Sequence, residues 1–112
     1  MSTAELHDDF LRGLPRVRVT GYLQIEDARE LDKKVRAFFL EGKRAWILDL
    51  EGCGVINSPA FSVLFELCIW ILEEFSGKTF ILKPNNLVNL MFVSGGMNQL
   101  ATMVSSTEEI PS

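Results

Sequence analysis

The segment Ala45-Trp46-Ile47-Leu48-Asp49-Leu50 would place apolar side chains on both faces of an extended strand. Such a strand must be covered on both sides, which is the usual situation inside an α/β sheet. Before it, residues 26–40 repeat apolar side chains at helical spacing, with acids in the first turn and Gly42 where a C-cap glycine belongs. The sequence therefore predicts an amphipathic helix followed by a central strand.

The remaining elements continue this alternation of strands and helices. A turn signal at Gly13 precedes a strand over residues 16–20, and residues 9–11 could form a short partner strand after a mobile segment of residues 1–8. After a loop of residues 51–54 we expect a helix over residues 58–76 ending at Gly77, then a strand (78–82), a helix (84–93) and a strand (101–104). This order predicts an α/β fold, a single domain over residues 1–112, with a mostly parallel or mixed sheet of four to five strands packed with three to four helices.

The charge balance excludes several classes of protein. Eleven Lys and Arg stand against 15 Asp and Glu, a net charge of -4, and no basic residue falls in residues 45–77. Nucleic-acid binding relies on clustered Lys and Arg, so we expect no nucleic-acid partner. The longest apolar run, residues 67–72, is far shorter than the roughly 20 residues of a spanning helix, and residues 1–5 do not resemble a signal peptide. We therefore expect a soluble, cytoplasmic protein without membrane insertion.

The sequence offers few groups for catalysis. Cys53 and Cys68 lack the second pair of a zinc site, and we expect both to be reduced thiols. His7 is the only histidine and lies in a polar terminal stretch, so a nucleophile would have no base. Asp49 and Glu51 lie two apart, which we interpret as the strand emerging into water. We expect no enzyme, no metal and no cofactor, and we interpret the chain as a binding module.

The segment Ser58-Pro59 is a strong helix start. Serine at the N-cap accepts a hydrogen bond from a backbone N–H, and proline at the next position needs no N–H partner. A helix N-terminus also stabilises negative charge, so a phosphoryl group on Ser58 would add about -1.5 to -2 charge where the free domain tolerates it. A docked partner would not tolerate that charge equally well.

The helix that follows Ser58 is apolar around most of its circumference. A single sheet in a chain of this size cannot easily bury so long a helix completely. We therefore expect part of Phe61, Phe65, Ile69 and Leu72 to form an interaction surface. Pairing of two copies through this second helix is one way to cover it.

Taken together, these segments resemble the STAS domain, the family named for sulfate transporters and anti-sigma factor antagonists. The resemblance covers residues 16–109. It rests on Val17-Arg-Val-Thr-Gly21-Tyr-Leu23, Ile47-Leu-Asp-Leu50, Val55-Ile-Asn-Ser58, Gly77-Lys-Thr-Phe-Ile-Leu82, Phe92-Val-Ser-Gly-Gly96-Met97 and Ser105-Ser-Thr-Glu-Glu109. The order and spacing of these segments carry the resemblance.

The resemblance implies an anti-sigma factor antagonist, because stand-alone members of this size typically have that role. The unphosphorylated form would bind an anti-sigma factor that is also an ATP-binding serine kinase, and so free a sigma factor for transcription. The kinase would phosphorylate Ser58, which matches the family's phosphoacceptor, and a phosphatase would reset it. We call the expected docking surface the Ser58 surface; it comprises Ser58 with Gln24, Asn57, Pro59, Phe61, Ser62 and Phe65.

Three departures from the family pattern affect this interpretation. Asn57 replaces the acid before the serine, Pro59-Ala60 replaces Ser-Gly after it, and Gln24 replaces the acid that follows Gly-Glu-Leu. The family's last helix would also be shortened or missing, since the sequence stops at Ser112. The alternative function is a STAS subunit of a membrane transport complex, bound to a cytoplasmic ATPase or permease and never phosphorylated.

Overall fold

A computed structural model describes residues 3–111 and arranges them as one five-stranded sheet with three α-helices. In chain order the elements are β1 (Thr3–Leu11), β2 (Leu14–Leu23), α1 (Ile25–Leu40), β3 (Ala45–Ile56), α2 (Ser58–Phe75), β4 (Lys78–Leu82), α3 (Asn86–Ser94) and β5 (Thr102–Val104), with single 3-10 turns at Met97–Gln99 and Thr107–Glu109. The strand order is β1-β2-β3-β4-β5. β1 pairs with β2 antiparallel and the other pairs are parallel. The predicted mixed α/β sheet is confirmed.

All three helices lie on one face of the sheet. Each parallel connection moves one strand further in the same direction, and right-handed crossovers then place every helix on the same side. The larger core joins buried residues of α1, α2 and α3 to alternate residues of β2 and β3, such as Val17, Trp46 and Leu48. A smaller core on the other face contains Ile47 and Ile110. The two-sided burial predicted for β3 is confirmed.

Strand β1 corrects the expectation of a mobile N-terminus. Residues 3–11 pair with β2 from Thr3↔Tyr22 to Leu11↔Leu14, so our expectation of a mobile segment over residues 1–8 is wrong from Thr3 onward; residues 1 and 2 lie outside the described residues. The hairpin turns at Arg12 and Gly13, both with positive φ, as a two-residue hairpin loop requires. An edge strand buries little of its surface, so the sequence of β1 is polar and lacks the apolar pattern that predicts a strand.

Strand β3 is longer than predicted, because residues 51–54 continue it as far as Ile56 instead of forming a loop. The extension pairs with β2 across register shifts near Thr20 and Gly21. Such bulges interrupt the alternation of apolar and polar residues from which a strand is predicted. Our interpretation of Asp49 as emerging into water is wrong: Asp49 is buried, 3.5 Å from Arg16. Glu51, by contrast, is exposed and lies 3.6 Å from Lys83.

Helix α2 ends at Phe75 and its C-cap is Ser76, whereas the sequence predicts Gly77 as the cap. Ser76 takes the left-handed conformation with φ 50, and Gly77 N–H donates to the Ile71 carbonyl at 3.0 Å. Glycine is needed at position 77 for space, because a Cβ there would lie 2.7 Å from side-chain atoms of both Phe39 and Ile71. Within residues 3–111, no helix is long and apolar enough to cross a membrane.

Where the sequence predicts a shortened C-terminal helix, the structure has the single 3-10 turn at Thr107–Glu109. The Glu109 carboxylate accepts the backbone N–H of Ser106 at 3.0 Å and the Ser105 hydroxyl at 2.6 Å. These hydrogen bonds lower the pKa of Glu109. Ile110 follows the turn and is completely buried in the smaller core, so the segment after β5 covers part of the helix-free face.

An ion-pair cluster on the helix-free face makes the stability of the domain depend on pH. Arg16 donates to both carboxylate oxygens of Asp9, at 2.8 and 2.7 Å, and Arg18 donates at 3.2 Å. The hydrogen bond from Arg16 is the main cause that holds the pKa of Asp9 below its usual value of 3.8. The folded state therefore gains stability while Asp9 is ionised and loses it as the pH falls through that lowered pKa.

We predict that Asp9→Asn lowers the free energy of unfolding at neutral pH by about 1 kcal/mol, the scale of a partly exposed bidentate pair. The difference from wild type should shrink as the pH falls, because wild-type Asp9 then becomes protonated as well. Urea unfolding of both proteins from about pH 7 to about pH 3 measures this. A difference that stays constant over this range would contradict the assignment.

Candidate functional site

The N-terminus of α2 is capped by Asn57, where the sequence predicts Ser58. The Asn57 side-chain oxygen accepts the backbone N–H of Ala60 at 3.0 Å, and its carbonyl accepts the N–H of Phe61 at 2.9 Å. Ser58 is therefore the first helical residue and Pro59 the second, so the predicted N-cap role of Ser58 is wrong. Asparagine caps as well as serine does. The Ser58 hydroxyl is exposed and is not needed for capping.

This assignment leads to a prediction for two alanine variants. Asn57→Ala should lower the free energy of unfolding by about 1 kcal/mol, because it removes the acceptor for the Ala60 N–H. Ser58→Ala should change stability by less than about 0.5 kcal/mol, since an exposed position away from a cap contributes little. Chemical denaturation of both variants checks this, and the reverse order would mean that Ser58 is the cap.

Gln24 lies next to this helix start because β2 and β3 are parallel neighbours. The backbone N–H of Asn57 donates to the Leu23 carbonyl at 3.2 Å, so the end of β2 and the start of α2 touch. Gln24 is half-buried at the N-cap of α1 and makes no side-chain capping bond. The structure therefore brings Gln24, Asn57 and Ser58 together, although the first is far from the others in sequence.

Two exposed apolar residues beside this site could not be predicted from the sequence. Tyr22 and Val55 are register partners at the ends of β2 and β3, and both are large and exposed. The expected loop over residues 51–54 and the end of the strand pattern at Thr20 concealed their pairing. They add apolar surface at the strand ends that precede Gln24 and Asn57.

Phe61 fixes the apolar side of the site. Its ring lies 5.8 Å from the ring of Phe65 and 5.6 Å from that of Phe92 in α3, measured between centroids. Phe61 and Phe65 are half-buried, whereas Ser62 is exposed. With Glu66 and Gly95 they line a shallow cavity of about 240 Å³ between α2 and the end of α3.

Gly95 leaves the space that the ring of Phe61 occupies. A Cβ at position 95 would lie 2.5 Å from the Cζ atom of Phe61, although the φ of Gly95 is an ordinary -87. The glycine is therefore required for space and not for backbone conformation. Nothing in the local sequence indicates this, because the contact joins two helices.

Asn85 ties α3 to the strand that precedes the site. Its side-chain oxygen accepts the Val88 N–H at 2.8 Å and caps α3. Its amide nitrogen donates to the Gly54 carbonyl at 3.0 Å, on β3 just before Asn57. The sequence indicates the helix start at residues 84–85, but not this second bond, which holds α3 beside the Ser58 surface.

The strand end and the helix start that form the site are uncharged. Residues 52–65 contain no charged side chain. Burial raises the pKa of the Cys53 thiol. Deeper burial raises the pKa of Cys68 to about 12, so both remain thiols at neutral pH, and neither forms a disulfide. His7 lies on the edge strand β1, which β2 separates from β3. Among residues 3–111, no cluster of three or more His, Cys, Asp or Glu could hold a metal ion.

On α2 beyond the Ser58 surface, the predicted interaction residues differ in exposure. Leu72 is 42% exposed, while Ile69 is half-buried like Phe61 and Phe65. Three aliphatic side chains of α3 are more exposed than Leu72: Leu87, Leu90 and Val93. The sequence predicts exposed apolar side chains on α2, and those on α3 could not be predicted because α3 is short and its apolar pattern does not identify a buried face.

Solved structures of known proteins share this fold. The anti-sigma factor antagonist SpoIIAA in its unphosphorylated form matches with a TM-score of 0.73 at 20% identity, covering 94% of this chain and 92% of its own. The phosphorylated form of SpoIIAA, described as a Bacillus cell fate determinant, matches with a TM-score of 0.71 at 18% identity over 94% and 96%. An anti-sigma factor antagonist from Mycobacterium paratuberculosis matches with a TM-score of 0.75 at 14% identity over 95% and 89%.

The sequence itself matches no protein-family model and no curated protein. At identities of 20% or less, the structural matches show the fold alone. The chain therefore has the STAS fold of the anti-sigma factor antagonists, as the resemblance in its sequence implies.

Proposed function

We propose that this protein is a phosphorylation-switched anti-sigma factor antagonist without catalytic activity of its own. In its unphosphorylated form it binds an anti-sigma factor that is an ATP-binding serine kinase, and this frees a sigma factor. The observation that supports the proposal most is the exposed Ser58 at the start of α2, beside half-buried aromatic rings, on a fold shared with both forms of SpoIIAA. A phosphatase resets the switch, and the protein acts in the cytoplasm.

The surroundings of Ser58 suit a reversible negative charge. A phosphoryl group at the first position of α2 would lie at the positive end of the helix dipole. Asn57 and Gln24 carry neutral amide side chains, so neither of them repels a phosphate on Ser58. The free domain therefore accommodates the modified serine, whereas a partner packed on Phe61 and Phe65 would have to desolvate a dianion. This asymmetry makes the modification a switch for binding.

Phosphate transfer to Ser58 tests the proposal. Incubation with the cognate kinase and ATP should raise the intact mass of the wild-type chain by one phosphate group. Ser58→Ala should stay unmodified, while Ser62→Ala, which removes the other exposed hydroxyl of the Ser58 surface, should gain the phosphate as wild type does. A Ser58→Ala variant that gains phosphate as readily as wild type would overturn the site.

The second candidate is a STAS subunit of a membrane transport complex, favoured by the neutral Asn57 and the Pro59-Ala60 pair after Ser58. Such a subunit would bind an ATPase or permease and would never carry phosphate. A neighbouring gene for a histidine-kinase-like ATPase supports the first function, and one for a permease supports the second. Stable binding to the permease complex with no phosphorylation of Ser58 would favour the second candidate.

A further inference from the structure

Strand β3 extends well beyond the end of its neighbour β4. The two strands pair as far as Asp49↔Leu82, whereas β3 continues to Ile56. This extension, residues 50–56, still pairs with β2. The part of β3 that leads into Ser58 is therefore paired on one side with β2 and lies beyond the end of β4 on the other.

The side chain of Asn85, which follows β4, contacts this extension. Its amide nitrogen donates to the Gly54 carbonyl at 3.0 Å and lies 3.5 Å from the carbonyl oxygen of Cys53. Its oxygen accepts the Val88 N–H at 2.8 Å, so one side chain joins the first turn of α3 to the end of β3. The two hydrogen bonds support each other, because the donor and the acceptor belong to one planar carboxamide.

A strained turn separates β4 from Asn85. Lys83, which precedes Pro84, has a φ of 53, a left-handed conformation that costs free energy in a residue other than glycine. Its N–H donates to the Val104 carbonyl at 2.9 Å, and its Nζ atom lies 3.6 Å from the Glu51 carboxylate. These contacts hold the turn, and strain of this kind is typical of functional sites. The turn brings Asn85 to β3 directly after β4 ends.

We propose that Asn85 is a positioning residue for Ser58, because its hydrogen bond to Gly54 fixes the backbone that leads into the serine. The inference rests on the proposed function of Ser58 as the phosphoacceptor. The Asn57 N–H, bonded to the Leu23 carbonyl at 3.2 Å, ties this backbone to β2, and Asn85 ties it to α3. Phosphoryl transfer requires the attacking oxygen to lie in line with the leaving group, so a small displacement of the acceptor slows the reaction.

Asn85→Ser separates the two hydrogen bonds of this side chain. Serine caps a helix about as well as asparagine does, so the Val88 N–H keeps an acceptor, but serine has no amide group that could reach the Gly54 carbonyl. The matched control is Asn86→Ser, which makes the same replacement at the next residue, an exposed asparagine that takes part in neither bond.

Amide hydrogen exchange of the unmodified chain tests the role of Asn85 in the absence of the kinase. The N–H of Asn57 should exchange about fivefold faster in Asn85→Ser than in wild type, because the end of β3 then opens from β2 at a lower cost in free energy. The N–H groups of β1 should exchange as in wild type, since their opening leaves the bond between Asn85 and Gly54 intact. Asn86→Ser should match wild type throughout. An unchanged exchange rate at Asn57 in Asn85→Ser would overturn the proposal.

Phosphorylation kinetics with the cognate kinase and ATP test the consequence for Ser58. Asn85→Ser should lower kcat about fivefold and leave KM near the wild-type value, because the position of the hydroxyl changes and the contact surface does not. Asn86→Ser should behave as wild type. Wild-type kinetics of Asn85→Ser would overturn the proposal, and so would a raised KM with an unchanged kcat, because Asn85 would then contact the kinase directly. A wild-type chain that takes no phosphate would instead overturn the proposed function, and this role with it.

Discussion

Replacing Ser58 with aspartate is expected to weaken binding of the anti-sigma factor kinase by more than about a hundredfold, which corresponds to about 3 kcal/mol. The physical reason is that a carboxylate at this position must lose its water when the partner packs on Phe61 and Phe65. In the free protein the same carboxylate lies at the first turn of α2, where negative charge is stabilised. Binding should therefore fall while the free energy of unfolding stays level or rises slightly.

The matched control for this variant is Ser58→Asn. Asparagine has nearly the same size and shape as aspartate but carries no charge, so it separates the effect of charge from that of bulk. Isothermal titration calorimetry with the kinase should show a small loss of affinity for Ser58→Asn and the large loss only for Ser58→Asp. Equal losses for the two variants would mean that the site excludes bulk at Ser58 and does not sense its charge.

Replacing Trp46 with alanine is expected to cost about 4 kcal/mol of the free energy of unfolding, the largest stability effect that we predict. Trp46 is fully buried on β3, and its indole N–H donates to the Thr79 hydroxyl of β4 at 2.8 Å. The change removes a large side chain and leaves a cavity between the sheet and α2. Because a domain of this size has about 5–15 kcal/mol in total, much of its stability would be lost.

Trp70→Ala is the matched control, because Trp70 is only half-buried on α2, where the Arg36 guanidinium of α1 lies 4.6 Å from its ring centroid. It should cost about 1–2 kcal/mol, since less apolar area leaves the core. Trp46→Phe should fall between the two, as it keeps a ring but removes the donor for Thr79. Denaturant unfolding followed by circular dichroism measures all three. Equal losses for Trp46→Ala and Trp70→Ala would contradict the predicted core.

The elements with strong periodicity could be predicted from the sequence. Helix α1 begins and ends within one residue of the prediction, because apolar spacing, acids in the first turn and Gly42 after its end all agree. β4 has the predicted bounds, since a short apolar run between turn signals allows few alternatives. β1 and the second half of β3 could not be predicted, because an edge strand buries only one face and bulges break the alternation.

The start of α2 could be predicted from the sequence, whereas the contacts around it could not. The segment around Ser58 stands out because a helix-start signal meets an apolar helix, and the structure has α2 beginning at that residue. The choice between Asn57 and Ser58 as the cap depends on backbone geometry, which two adjacent capping residues do not reveal. The roles of Gly95 and Asn85 arise from contacts between elements far apart in the chain, so no local pattern could contain them.

The most direct measurement compares the affinity of the kinase for one chain in two states. The protein is phosphorylated to completion at Ser58, verified by intact mass, and both forms are titrated with the kinase and ADP. We predict that the unphosphorylated form binds and that the phosphorylated form binds at least about a hundredfold more weakly. Equal affinities, or no transfer of phosphate from a kinase that binds the chain, would contradict a phosphorylation switch at Ser58.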